Sequence, residues 1–439
     1  MIRRVEIACR LVLRLAEKLP GTGTILVAAL ILRAAFVALF VGLGNFANYA
    51  PVSGDSYQVA GVDGYLQIAR TLWTSGEYAF EPGGFPVAFR PPVQTVLMLV
   101  FGAWWAEGWH WIWLSWSVFA STAVVWLTGK LVSAMGGTEA AGKLAMTLVA
   151  LHPYQIFSAR VPGLVVTLTL AIGLLALCLV RFLRNRPGSA WQLGLAWGLG
   201  ALTHASLLPL LAPMAVVMFF CQQGAWRLRA RRIVAVCLLA GCCVLPWTLR
   251  NYQSFGMRIP VSTGGGLQYW LGEYNYFRGY ENTSRSFEAI IRDFQDQHRL
   301  RLEIVHGGIM DPEQDVMLVQ MGMQQIKDEP MVLLRRAMYG SVLFWTTKDK
   351  GLRKTAIVAV MNLPLVILFS VLTFLTAVQR RWEAEFAGAW FLLMGIYGLF
   401  ALVQAIGPYF VVVTPLAIAL SSRMVVLIGD TLSGSGEGR

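Results

Sequence analysis

Two carboxylates, Asp55 and Asp63, stand between the first long apolar run of the chain and the next. A single carboxylate in such a place can take the proton of an attacking hydroxyl. Asp63 also opens a helical stretch (Tyr65, Ile68, Ala69, Leu72) that ends at Gly76. It could therefore be the N-cap of that helix, worth ~1 kcal/mol, and capping is compatible with catalysis. Gly83, Gly84, Pro86, Pro91 and Pro92 then form a stiff turn carrying Arg90, suited to holding a cation beside a membrane surface. Other cations fall at the ends of later apolar runs: Arg160 between two of them, His204 at a tight break, Arg250 at the end of the seventh. Arg160 and Arg250 could equally contact lipid headgroups, and His204 could be a hydrogen-bonded packing residue. Arg33 lies within the first run, where an unpaired charge costs ~2.5–3.5 kcal/mol, so an internal partner is expected for it.

Several signatures are missing from the sequence. There is no P-loop, no G-x-G-x-x-G opening a helix and no H-E-x-x-H. The five histidines have no metal-ligand spacing, so neither a metal nor a cofactor is expected. Gly264, Gly265 and Gly266 alone are weak evidence for a phosphate cradle. The six cysteines fall in apolar runs or beside basic turns, which leaves no disulfide framework for the external loops.

The elements that must position these residues follow from composition. Of the 439 residues, 56% are apolar or aromatic and only 14% are charged; soluble domains carry about 25% charged residues. That excludes a soluble nucleic-acid binder or cytosolic enzyme and predicts an all-α polytopic membrane protein. Ten segments are apolar enough to span a bilayer: 24–44, 109–129, 139–158, 161–181, 190–203, 205–223, 232–250, 355–378, 386–405 and 408–428. Residues 93–106 are apolar but short, and they run into a group of tryptophans from Trp104 to Trp116. They read as an interfacial helix.

With the N-terminus inside, every short basic cluster falls on one side. That side holds 18 basic residues against 7 acidic ones, which accounts for nearly all of the formal net charge of +12. The expected organisation is an amphipathic cytoplasmic helix in 1–23 and a transmembrane module in 24–250 with a first external loop at 45–92. An extra-cytoplasmic segment at 251–354, transmembrane helices in 355–428 and a cytoplasmic tail at 429–439 complete it. Within 251–354, Phe287, Ile290, Ile291 and Phe294 form one stripe, and Val316, Val319, Met323 and Ile326 form another after an Asp311 N-cap. Both stripes are expected to be packing faces. Arg335 and Arg336 mark 331–346 as interfacial.

Four blocks in order carry a family resemblance. The first runs from Asp63 and Tyr65 through Arg70 and Tyr78 to Phe89, Arg90, Pro91 and Pro92. The second is Leu151, His152, Pro153 with Ser158 and Arg160; the third is Gly194 to Gly198 with Leu202, Thr203 and His204. The fourth is Pro246, Trp247, Arg250, Asn251, Tyr252, Val261, Ser262 and Thr263, and a weaker fifth is Gly407, Pro408, Tyr409 and Pro415. In these the sequence resembles membrane-embedded glycosyltransferases of the GT-C class, in particular bacterial relatives of the protein mannosyltransferases and of the lipid A aminoarabinose transferase.

The resemblance implies transfer of a sugar from a polyprenyl-phosphate donor to an acceptor outside the cytoplasm of a bacterial inner membrane. The acceptor would be a glycolipid, a glycan or a secreted or pilin-type protein, with the bilayer as the other partner and no nucleic acid. Asp63 matches the catalytic carboxylate, with Asp55 as second choice. Arg160 and Arg250, with Arg90 and His204, are the donor-phosphate candidates, and Tyr65, Asn251 and Tyr409 the substrate contacts. Two positions depart from the family pattern: His204 replaces the usual Lys or Arg, and no Arg precedes Tyr409. Because phosphate leaves readily, the reaction needs cations for the departing charge and one base for the acceptor hydroxyl. A glycoside hydrolase would need two carboxylates flanking the bond. One displacement with inversion is therefore expected. The competing expectation is a polytopic transporter or flippase for lipid-linked sugars, which would show related halves and a midplane site.

Overall fold

The computed structural model describes residues 2–40, 64–105, 109–160, 163–277, 287–305, 308–346, 352–379, 382–403 and 409–429. Asp55 and Asp63 lie outside the described residues, as do Arg380, Arg381, Gly407, Pro408 and the tail beyond Gly429. In chain order the first helices are α1 (Ile2–Glu17), α2 (Thr22–Phe40), α3 (Tyr65–Ser75), α4 (Pro92–Met98), α5 (Trp109–Ala134), α6 (Glu139–Leu151), α7 (Pro153–Ser158) and α8 (Leu164–Leu183). They are followed by α9 (Ser189–Thr203), α10 (Leu211–Cys221), α11 (Trp226–Phe255), α12 (Gly265–Phe277) and α13 (Phe287–His298). A two-residue antiparallel ladder, β1 (Ile304–Val305) with β2 (Gly308–Ile309), precedes α14 (Pro312–Asp328), α15 (Met331–Thr346), α16 (Leu352–Val378), α17 (Ala384–Val403) and α18 (Tyr409–Gly429).

Seven of the described helices are long and apolar enough to cross a membrane: α2, α5, α8, α11, α16, α17 and α18. The other three expected spans are shorter, for local reasons. The 139–158 segment is two helices, α6 and α7, divided at His152 because Pro153 cannot continue the hydrogen-bond ladder of α6. The pair 190–203 and 205–223 breaks at His204, whose extended backbone ends α9 before a short 3-10 turn and α10. The 93–106 segment begins as α4 and turns at Phe101 and Gly102, where Gly102 takes φ +120°.

At the centre stands α18, buried along its whole length and packed against α1, α5, α6, α8, α16 and α17. Pro415 inside it has no N–H, so the carbonyl of Val411 loses its helical donor. Gln155 of α7 supplies the replacement, its Nε2 donating to Val411 O at 2.6 Å. The same polar thread takes in Arg33. Its fully buried guanidinium donates to Ser121 Oγ at 2.8 Å and to the carbonyls of Ala29, Val149 and Ala150. The last two carbonyls close α6, where the helix dipole favours a cation. Arg33 thus has the internal partners its sequence position called for.

The basic turns collect at one end of the bundle, where Arg184 bonds Glu385, Arg423 bonds Glu383 and Arg10 donates to Gly429 O. There α1 presents Ile7, Leu11 and Leu15 outward, in keeping with an amphipathic helix.

At the other end, α12 packs against α14. The Asp315 carboxylate of α14 accepts the backbone N–H groups of Gly264, Gly266 and Leu267, capping α12. Gly266 must be small, since a Cβ there would lie 2.7 Å from Asp315 O and Leu318 Cβ. This docking corrects the expected face of α14. Asp315, Leu318 and Gly322 turn inward, leaving Val316, Val319 and Met323 41–52% exposed. On α13 the two members of the predicted stripe whose side chains are described, Ile291 and Phe294, are buried as expected. Arg336 of α15 does not reach the protein surface. It is fully buried as α15 packs on α16 and α17, and it binds Glu273 and the last carbonyls of α17.

Candidate functional site

Five helix ends meet opposite the basic turns: the starts of α3, α8 and α18 and the ends of α9 and α17. Between them is a cavity of about 370 Å³. Its walls include Tyr65, Arg90, His204 and Tyr409, four residues singled out from sequence, together with Ser262, Thr263 and Gly265 of the fourth block.

Tyr65 is placed by Gly64, whose φ of +78° turns the chain into α3 and buries the ring. Arg90 is placed by the turn before α4. Val87 N–H donates to Tyr78 O at 2.9 Å, Ala79 pairs with Pro86, and the Tyr78 hydroxyl meets Thr95 Oγ1 at 2.8 Å. Burial pushes the pKa of the Tyr78 phenol up, so it stays a neutral hydrogen-bonding group. The Arg90 guanidinium lies over the rings of Tyr65 and Phe89, at 5.4 and 5.0 Å. No carboxylate is among the described lining residues, and Arg90 brings a guanidinium to the cavity wall.

Arg250 and Asn251 do not line it. Arg250 donates to Val87 O at 2.9 Å, Tyr78 O at 3.1 Å and Asn251 Oδ1 at 3.0 Å, and its guanidinium stacks over Tyr78 and Trp247. Asn251, fully buried, donates to Ile259 O and Val261 O, and the Trp247 indole also donates to Val261 O. The fourth block is therefore a clamp. It fixes the two strands of loop that present Arg90 on one side and Ser262 and Thr263 on the other. Thr263 Oγ1 is buried without a partner among the described residues, an unspent donor on the cavity wall. Arg160 lies outside the cavity, its guanidinium over the rings of Phe157 and Phe40.

His204 pairs through Nδ1 with Ser206 Oγ at 2.6 Å, and its ring meets Phe400 and Tyr409 edge-on. Burial, reinforced by Arg90, pushes its pKa down to about 4. At neutral pH it is thus a hydrogen-bonding imidazole rather than a cation, and Nε2 is the nitrogen left to meet a ligand. Phe400 and Tyr409 stack face to face at 4.1 Å and 4°. Sequence reasoning missed Ser206, Gln268, Gly308 and Phe400. Ser206 was signalled by its place two residues after His204. Phe400 had no signal, because only packing sets it against Tyr409. The Gly264–Gly266 turn holds no open anion nest of its own, because Asp315 occupies the amides of Gly264 and Gly266.

The arrangement can hold an anion beside Arg90, hydrogen-bond it through Thr263 and His204, and pack a planar or ring-shaped group against Tyr65, Phe400 and Tyr409. Among the described residues no cluster of His, Cys, Asp and Glu could hold a metal ion.

No family model matches the chain, and no curated protein matches it. Solved structures do. The archaeal oligosaccharyltransferase AglB of Archaeoglobus fulgidus, in complex with an inhibitory peptide and a dolichol-phosphate, superposes with a TM-score of 0.54 at 15% identity, over 95% of this chain and 52% of that one. The Archaeoglobus fulgidus oligosaccharyltransferase tethered to an acceptor peptide containing the NVT sequon gives 0.52 at 16% identity, over 92% and 49%. The chain spans about half the length of these proteins. At such identity the likeness is one of fold: the chain is a mainly helical polytopic membrane protein with the fold of the archaeal oligosaccharyltransferase.

Proposed function

We propose that the chain is a GT-C-type glycosyltransferase that moves a sugar from a polyprenyl-phosphate donor to an acceptor hydroxyl of a glycolipid, glycan or protein. The observation that carries this reading is the meeting of Tyr65, Arg90, His204 and Tyr409, from four separate segments, in one aromatic-walled cavity. Its chemistry suits a phosphate attached to a sugar. Arg90 neutralises charge as the glycosidic bond breaks, and Thr263 and neutral His204 donate hydrogen bonds to phosphate oxygens. Tyr65 and the Phe400–Tyr409 stack offer flat apolar faces to the sugar or the first isoprene. Asp63, two residues before Tyr65 in the chain, is the base that accepts the acceptor's proton, with Asp55 as the alternative. One displacement inverts the anomeric centre.

A related fold that binds a dolichol-phosphate and an acceptor peptide supports a lipid-phosphate donor. The basic end of the bundle is in this reading the cytoplasmic end, as the distribution of Lys and Arg supports, with the cavity outside the cytoplasm. In this reading the protein sits in a bacterial inner membrane with both termini inside. Purified protein in vesicles, given the lipid-linked sugars and envelope acceptors of its host, should release polyprenyl phosphate without any ion gradient. Vesicles that move the intact lipid-linked sugar across the bilayer and release none would identify a flippase instead.

A further inference from the structure

The basic end of the bundle carries a second opening, a cleft of about 840 Å³ between the turn that joins α8 to α9 and the start of α11. We propose that this cleft is a binding site for one anionic phospholipid, its phosphate held by Arg186 and Arg232 and an acyl chain lying along Leu228, Ala235 and Leu239. All five residues line the cleft.

The argument begins with charge. No Asp or Glu occurs between Glu139 and Glu273, yet the two turns beside the cleft carry Arg181, Arg184, Arg186, Arg227, Arg229, Arg231 and Arg232. Among the described residues only Arg184 of these meets a carboxylate, that of Glu385. This surplus concentrates positive potential at the cleft mouth, where anionic headgroups are attracted.

Local order comes next. Arg232 is pinned by Asn185 Oδ1, by Ser189 Oγ at 3.1 Å and by Phe182 O, and its guanidinium lies over the Phe182 ring. A guanidinium fixed in this way recognises a phosphate without losing much freedom. Gly188, at φ +70°, lets the Trp191 indole fold back over the turn, because a Cβ there would lie 2.7 Å from Trp191 Nε1. Trp191 is 53% exposed and also lines the cleft, as expected for a tryptophan at headgroup depth.

Lipid rather than a free anion follows from the apolar wall. Leu228 is 54% exposed beside the arginines, and Ala235 and Leu239 continue the wall along α11 toward the bundle centre. A small soluble anion would leave that wall uncovered. The site lies at the far end of α8 and α9 from the cavity, roughly 30 Å along α8 at 1.5 Å per residue, so it stands apart from the proposed transferase centre.

The test is native mass spectrometry of the full-length protein in detergent, titrated with equimolar phosphatidylglycerol and phosphatidylcholine. Wild type should retain one phosphatidylglycerol in preference to phosphatidylcholine. Arg186→Gln should cut that preference about fivefold, the effect of one basic residue beside an anionic lipid. Arg231→Gln removes the same charge outside the cleft lining and should leave it within twofold. Arg186 is exposed, so this pair still reads the site if Arg232→Gln disturbs the turn. Equal retention of the two lipids, or equal loss in both variants, would overturn the proposal. Displacement of the lipid by millimolar glycerol phosphate would also overturn it, because the apolar wall would then contribute nothing.

Discussion

Arg336→Met separates a structural clasp from an interfacial arginine, and its cost can be worked from the contacts. The Arg336 side chain is 0% exposed and that of its partner Glu273 only 13%, with 2.8 Å between them. The guanidinium also donates to Leu402 O at 2.7 Å and to Val403 O and Tyr269 O at 2.8 Å each, over the Tyr269 ring. Leu402 and Val403 close α17, so Arg336 satisfies carbonyls that no helical N–H can reach. Breaking a buried pair by removing one partner costs ~3–5 kcal/mol. Orphaned carbonyls add ~1–3 kcal/mol each, though not additively, which puts the substitution near ~5 kcal/mol. Glu273→Gln keeps an acceptor for Arg336 and leaves the three carbonyl bonds intact, but it removes the counter-charge of a buried guanidinium, so it should cost ~3 kcal/mol, the lower end of the range for a broken buried pair. Gly272 and Gly340 deepen the clasp, since a Cβ on either would collide with the carbonyls of Val403 or Ala401. Phe400 and Val403 of the same helix end line the cavity, so Arg336→Met should also lose donor turnover. The assay is thermal denaturation of the detergent-solubilised protein, followed by size-exclusion recovery. A melting point for Arg336→Met equal to that of wild type, or above that of Glu273→Gln, would refute the reasoning.

Three further outcomes follow from the cavity and its supports. His204 has a folded pKa of about 4 against an ordinary value of 6.5, so the unfolded chain takes up the proton first as pH falls. Stability should therefore decline between about pH 6.5 and pH 4, by at most roughly 3 kcal/mol, and His204→Gln should flatten that slope in pH-dependent melting curves. Gly308→Ala would drive a methyl into the Phe89 ring beside Arg90, so donor turnover should fall at least tenfold while far-ultraviolet circular dichroism stays unchanged. Arg250→Lys keeps a charge but cannot bridge Val87 O and Tyr78 O, so it should lower stability by ~1–3 kcal/mol and reduce turnover. If Arg250 served the donor phosphate as a simple charge, the lysine variant would instead keep turnover and stability.

The sequence displayed its apolar runs, so the helical class and the common side of the basic turns were legible from hydropathy and charge. Residues at helix ends and turns, Tyr65, Arg90, His204 and Tyr409, were legible too, because polar groups at the ends of apolar runs are conspicuous. What escaped depends on partners distant in the chain. Nothing near Arg250 and Asn251 in the chain announces that they hold the backbone of Val87, Tyr78, Ile259 and Val261. The α14 stripe pointed the wrong way because a charged residue, Asp315, faces inward to cap another helix, which periodicity counts as a solvent position. Arg336 looked interfacial because nothing within its own helix announces Glu273 or the end of α17. Gln155 carried no signal at all, since its value lies in the carbonyl that Pro415 frees more than two hundred residues later.

The most direct test of a lipid-phosphate glycosyl transferase centred on this cavity is release of polyprenyl phosphate from the host's lipid-linked sugars. It would be measured by mass spectrometry for wild-type, Asp63→Asn, Asp55→Asn and Arg90→Gln proteins in vesicles. Loss of a well-placed base costs about 10²–10⁴-fold, so Asp63→Asn should fall by that factor, Arg90→Gln should lose most turnover and Asp55→Asn should retain it. Near-normal release by Asp63→Asn and Arg90→Gln, with the proteins folded, would contradict the account.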